Sequence, residues 1–330
     1  MIWTPPPPRL NRRTVLTSAM PDDCQLPPPI DYNRMIAPGS EELAVRLMQL
    51  MFPRIEDAWQ KLDGVYVQVV EPRSSLRLDD RYLGRWRSGG LHVTAMFAAV
   101  DALMAVQTIL KPVIAGTGSL PMSALFPMIR AAIESASLAI YLLEPLDRDE
   151  RLRRSYLVAA EDAKYLSTFG EALGRETNTV RADAQAHIRE LLATRPSIEA
   201  GAPFAFERVQ YSDLVENADA VMAADPATPK VERMALIAWW KLLSGLSHGK
   251  QWAFVELMER SEAVVDEANE SAYVKLTSSA AGVAIPLQLA VEALEAALRL
   301  FGHRSKEAWN QREDASEPIA ISFKELRGDH

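Results

Sequence analysis

Residues 127–145 read PMIRAAIESASLAIYLLEP, and this stretch decides the fold class. It is nearly all Ala, Ile and Leu, so it belongs in a core. Yet Arg130, Glu134, Ser137 and Tyr141 recur at spacings of 4, 3 and 4, which places all four on one stripe of an α-helix. A buried Arg and Glu are costly unless paired and hydrogen-bonded, so the stripe is expected to face another polar surface, a cavity or a ligand.

The helical period extends in both directions. Upstream, LHVTAMFAAVDALMAVQTILKPVIA predicts a strongly apolar helix over 91–115, separated by Gly116, Gly118 and Pro121 from a helix over 122–144. Before it, Ser40 caps a helix whose first turn carries Glu41 and Glu42 and whose apolar face is Leu43, Leu47, Leu50 and Met51. Pro53 is expected to kink or break that helix, and Gly64 to end it. GVYVQVV at 64–70 is the best strand candidate, through its β-branched density. Residues 71–90, polar and Gly-rich with Arg73, Arg77, Arg81, Arg85 and Arg87, read as a solvated loop.

Downstream, Asp147 is a good N-cap for a helix over 148–173. Further helices are expected over 178–194, 207–223, 230–249 (or to 260) and 278–301, the last bent at Pro286. Helix follows helix through short connections. The expected fold is therefore all-α, an antiparallel helical bundle over 39–303, with at most one short strand or hairpin. Nine of the 21 prolines fall in residues 1–38. Proline lacks the N–H and fixes φ, so this segment is expected to be an extended arm. Residues 304–330 form a charged tail in which ISFKEL is a candidate strand or docking segment.

Composition narrows the function. The chain has 330 residues, 48% of them hydrophobic, which allows a sizeable core. Its net charge of −8 excludes a global positive field for nucleic acid or anionic membrane, leaving RNA only a local basic patch. Cys24 is the single cysteine, so no intrachain disulfide and no cysteine-based zinc site is expected. The five histidines include no HExxH and no close pair, so no metal or other cofactor is expected, and a metal-dependent phosphohydrolase is the weakest reading. The start of the chain lacks the unbroken apolar segment of a signal peptide, and no run of 18 apolar residues occurs. The expectation is a cytoplasmic protein that does not span a membrane.

WWKLLSGLSHGKQWAF, residues 239–254, supplies the second half of a candidate site. Ser244 and His248 stand at i,i+4, with Lys241 one turn earlier. Gly245 leaves a bare patch where another backbone or a ligand can approach, and Gly249 is placed to end or bend the helix. Trp239, Trp240 and Trp252 flank the group with large apolar surface. Packed together, the two helices would converge Arg130, Glu134, Tyr141, Ser244 and His248. His248 would be the general acid or base, Glu134 would hold its imidazole in one tautomer, and Arg130 would offer a guanidinium fork to a phosphate or carboxylate. Tyr141, Lys241, Ser244, Trp240 and Trp252 are the expected ligand contacts. The structural alternative is that these pairs only lock helix register. Arg181 and His187, six apart on a polar helix, read as a solvated face.

The order RAAIE at 130–134, RDERLRRSY at 148–156 and WWKLLSGLSHG at 239–249, followed by a small-residue apolar helix, resembles uncharacterised helical proteins common in actinobacteria. These are distantly similar to the HEPN superfamily of helical bundles. The resemblance covers about residues 90–302. It implies, for the nuclease members, metal-independent RNA cleavage by attack of the ribose 2′-OH, with an Arg and a His spaced R-x(4–6)-H on one helix, in a dimer and in a toxin or phage-defence setting. Many members are non-catalytic. Here Lys241 stands where the motif has Arg, while Arg181 and His187 match its spacing on a different helix. Two functions follow: a non-enzymatic protein that binds a protein partner, a second copy of itself or a small anion, and a HEPN-like ribonuclease.

Overall fold

The computed structural model describes residues 40–306, apart from 69, 85–87, 122, 176–178, 200–202, 225–234 and 267–270. The Pro-rich arm, Cys24, His330 and the ISFKEL segment lie outside the described residues. The fold is all-α. Its helices are α1 (Ser40–Gln68), α2 (Ser75–Leu83), α3 (Ser88–Ile114), α4 (Leu125–Leu143), α5 (Arg148–Ala172), α6 (Val180–Ala193), α7 (Tyr211–Ala224), α8 (Leu236–Ser247), α9 (Gln251–Leu257) and α10 (Ala280–Arg304). A 3₁₀ turn at Pro196–Glu199 follows α6, and an antiparallel hairpin, β1 (Glu259–Asp266) with β2 (Ser271–Thr277), precedes α10.

Capping sets several boundaries. Asp147 accepts a hydrogen bond from the Glu150 N–H at 3.1 Å and opens α5, whose first turn places Asp149 and Glu150 at the positive end of the dipole. Ser279 caps α10 by accepting from Gly282 N–H at 3.0 Å. At the end of α8, Gly249 takes φ +64°, and the Gly249 and Lys250 N–H groups donate back to Leu246 O and Gly245 O. This is a Schellman closure, and it confirms Gly249 as the stop.

Helix α4 is the hub. It packs against α3, α10, α7, α8 and α5, and Ile129, Ala132, Ile133, Ala136, Ala139, Ile140 and Leu143 are buried along it. A smaller apolar cluster joins Leu83 of α2, Leu152 and Tyr156 of α5, and Ile188 and Leu192 of α6.

Three local expectations are corrected. Helix α1 passes through both Pro53 and Gly64. Ala44, Met48, Met51, Ile55, Ala58 and Leu62 are buried at alternating spacings of 4 and 3 across Pro53. That continuous buried seam outweighs the ~3 kcal/mol proline cost. Consequently the strand candidate at 64–70 is helical as far as Gln68, and the hairpin lies instead at 259–277, beginning where the longer option for the preceding helix would have ended, at 260. Residues 75–83, expected as loop, form α2, capped by Ser74, whose hydroxyl accepts from Arg77 N–H at 3.3 Å. Separately, three helices (Gly90–Ile114, Leu125–Leu143 and Ala280–Arg304) are long and apolar enough to cross a membrane by length and composition, which neither supports nor opposes the expected absence of a span. In this fold they form the core of the helical assembly.

Candidate functional site

The polar stripe of α4 meets α8 at its N-terminal half. The Arg130 Nε lies 2.8 Å from Glu134 Oε1, one turn on, with about a fifth of each side chain exposed. The Nε–H is not aimed at that oxygen, so the contact is an ion pair rather than a hydrogen bond. Trp240 of α8 donates its indole N–H to the same Glu134 oxygen at 2.9 Å, and its ring lies 5.9 Å from the Arg130 guanidinium carbon. Arg130 is thus held along its length, with its Nη end turned toward α8.

There it meets His248. Arg130 Nη1 lies 3.2 Å from His248 Nε2. A guanidinium has donors only, so Nε2 must be the acceptor, and the contact requires a neutral ring with its proton on Nδ1. His248 is the exposed C-cap of α8, and its backbone N–H donates to Ser244 O at 3.1 Å. The tautomer is therefore set by Arg130, not by Glu134, whose oxygen is taken up by Trp240 and Arg130.

The remaining expected members are dispersed. Tyr141 belongs to a different neighbourhood: its ring carries the Arg154 guanidinium at 4.3 Å, and Arg154 also donates to the Tyr141 carbonyl at 2.8 Å. Burial raises the Tyr141 phenol above its ordinary value, with Arg154 opposing. Ser137 is fully buried, and its hydroxyl has no hydrogen-bond partner among the described residues. Lys241 is exposed and Ser244 half-buried. The bare patch at Gly245 is filled from within the chain, because a Cβ there would lie 2.7 Å from Ala253 Cβ and 2.8 Å from Trp252 Cζ2. Trp252 is nevertheless 54% exposed beside His248 and Lys250 in sequence. Of the second candidate, Arg181 is exposed, while His187 Nδ1 lies 3.5 Å from Glu190 and its ring abuts Gly84.

Two groups were not anticipated. Tyr211, at the start of α7, is raised above its ordinary value by burial and by the nearby charges of Glu134, Glu161 and Asp162. It therefore lies within electrostatic reach of Glu134, a neighbourhood that no sequence spacing announces across 77 residues. The other group is deeply buried. Asp79 of α2 accepts from Arg151 Nε at 2.8 Å, Arg151 Nη2 at 3.3 Å and Arg148 Nε at 3.2 Å. Arg151 Nη1 also donates to Pro145 O and Leu146 O. Arg304, at the end of α10, donates to Leu143 O, Glu144 O and Pro145 O.

The reason lies in α4. Its C-terminal carbonyls are left without helical donors, Pro145 cannot continue the helix, and the junction is closed to water. Three guanidinium groups supply the donors: Arg154 to Tyr141, Arg304 to Leu143, Glu144 and Pro145, and Arg151 to Pro145 and Leu146. Burial and the neighbouring Arg151 charge draw Arg304 down to about 9, so it remains cationic at neutral pH. Here a signal existed: Leu76, Asp79 and Leu83 share one helical face.

Among the described residues, no group of three or more His, Cys, Asp or Glu side chains is placed to hold a metal ion. No protein-family profile, no curated protein and no solved structure matches the chain.

Proposed function

We propose that this chain is a non-enzymatic helical binding protein that captures an anionic group, a carboxylate or phosphate on a small ligand or protein partner, where α4 and α8 meet. The observation that carries this reading is the Arg130 Nη1 to His248 Nε2 contact at 3.2 Å, made at an exposed edge by an arginine already fixed at its other end. A prepositioned guanidinium loses little conformational entropy on binding, and an anion is a better acceptor for it than neutral imidazole. Displacing His248 would free its ring to donate to the same anion. Glu134 partly offsets the Arg130 charge, which favours selective over tight capture. The outward positions Thr94, Asp101, Thr108 and Lys111 of the apolar helix α3 support a water-facing setting, in keeping with a cytoplasmic location.

The same pair favours one other reading. A cation beside a neutral imidazole at an exposed edge is also the minimum for a metal-independent endoribonuclease of the HEPN kind, with His248 as base and Arg130 stabilising the phosphate. Two assays separate the readings. Titration with inorganic phosphate and with acetate, followed by NMR of the Arg and His side chains, should show saturable shifts at Arg130 and His248. Arg130→Gln should weaken this binding by about 10- to 100-fold, the loss of one charge-assisted hydrogen bond. No saturation by either anion would sink the binding reading. Cleavage of mixed RNA in excess EDTA by the wild type but not by folded His248→Ala would establish the nuclease instead.

A further inference from the structure

The second half of α5 carries large apolar side chains that no other described residue covers. Tyr165, Leu166, Phe169 and Leu173 are 52%, 59%, 59% and 53% exposed. At 100° per residue these four positions fall within one arc of about 100°. The buried line of the same half, Ala163, Ser167 and Gly170, faces elsewhere. Tyr211, 47% exposed and near enough to Tyr165 for ionisation of one phenol to oppose ionisation of the other, extends the patch onto α7. Contiguous apolar patches of this kind mark interaction sites rather than ordinary surface.

We infer that this face is a homodimer interface, in which α5 packs antiparallel against α5 of a second copy about a two-fold axis near Phe169. The spacing supports a self-complementary contact. Positions 165, 169 and 173 are symmetric about Phe169, so a two-fold there sets Tyr165 against Leu173 of the copy, Phe169 against its own equivalent, and Leu166 against the small Ala172. Such isologous pairing asks nothing of the rest of the surface. The charges around the stripe also permit it. Among the described residues of α5 and its C-terminal turn, Asp162, Lys164, Glu171 and Arg175 are the exposed charged ones around it, two acids and two bases, so this part of the patch is locally neutral in a chain whose net charge is −8. The exposed apolar area, at about 200 Å² per large side chain, comes to roughly 1,000 Å² over two copies, near the lower bound of a specific interface. The dimer is therefore expected to be reversible, with micromolar affinity.

The test is sedimentation velocity of the full chain over a loading series from about 1 to about 200 μM. The wild type should pass from monomer to dimer. Phe169→Asp should weaken the dimer by at least about 30-fold, the effect of removing a central aromatic anchor. Leu166→Arg, on the flank, should do the same. Both positions are more than half exposed, so circular dichroism and melting temperature should match the wild type. In a Cys24→Ser background, mixed Tyr165→Cys and Leu173→Cys chains should form a disulfide between copies under mild oxidation, and neither chain alone should do so efficiently. A wild type that stays monomeric throughout, whether because its own terminal segments or a different partner cover the stripe, overturns the inference. So does a dimer that both substitutions leave intact.

Discussion

Asp79 is the residue whose loss should cost the most for the least change in volume. It is 3% exposed and is the carboxylate that accepts from both Arg148 and Arg151. Arg151 is 2% exposed and cannot leave, because its Nη1 also holds the Pro145 and Leu146 carbonyls. Asp79→Leu would therefore leave a buried guanidinium without its counter-charge, close to the equally buried Arg304. Stranding one partner of a buried pair costs about 3–5 kcal/mol, against a total stability of about 5–15 kcal/mol. The expected loss is near the top of that range, since two cations lose one shared anion. Equilibrium denaturation in urea measures it. The decisive experiment is a double-mutant cycle with Arg151→Met, which removes the stranded charge while leaving the Pro145 and Leu146 carbonyls short of donors. Each single substitution should be severe and the double less than additive, with a coupling of about 2 kcal/mol or more. A cost below about 1 kcal/mol for Asp79→Leu, or a cycle that adds, would refute the view that this junction rests on charge-compensated capping.

His92 gives a pH dependence. It is fully buried against Phe301, its Nε2 has no hydrogen-bond partner among the described residues, and burial holds the ring down to about 3 from its ordinary 6.5. The unfolded chain takes up this proton below pH 6.5 and the native state does not, so the contribution of His92 is intact above 6.5 and lost progressively between 6.5 and about 3. Lowering the pH from 6.5 to 5 should cost about 2 kcal/mol through this group alone. His92→Phe should flatten the wild-type stability curve by that amount, and an unchanged acid limb would refute the assignment. At Gly245, an Ala would put Cβ within 3 Å of Trp252 and Ala253. Gly245→Ala should displace α9 and destabilise by about 1–3 kcal/mol, read from denaturation together with a shift in tryptophan emission. A variant as stable as the wild type would mean that α9 yields freely.

The fold class was legible because the buried seam of α1 and the apolar faces of α3, α4 and α10 all follow the helical period, which one sequence displays. What was misread followed from local signals competing with packing. Pro53 and Gly64 argue for a stop, but the seam from Ala44 to Leu62 continues through the proline. The β-branched run at 64–70 looked like a strand for the same local reason. The hairpin at 259–277 was obscured because it follows an apolar helix with no proline to mark the change.

The site divides along the same line. Arg130 with Glu134 is a one-turn pair, and any helix forces it. That Arg130 would meet His248 required only that two apolar helices pack, which their composition demands. Tyr141 failed because sharing a stripe is not sharing a place: eleven residues along a helix span about 16 Å, enough to pass from one neighbour to another. Arg130 therefore faces α8, while Tyr141 faces α5 through Arg154. A stripe read from spacing fixes direction around the axis and says nothing about which helix lies opposite at each level. The Asp79 junction shows the complementary gap. The position of Asp79 between Leu76 and Leu83 marks it as buried, but its partners come from α5, and the need it answers arises at the C-terminus of α4. That need is set by where a helix ends inside the core, which only the assembled structure determines.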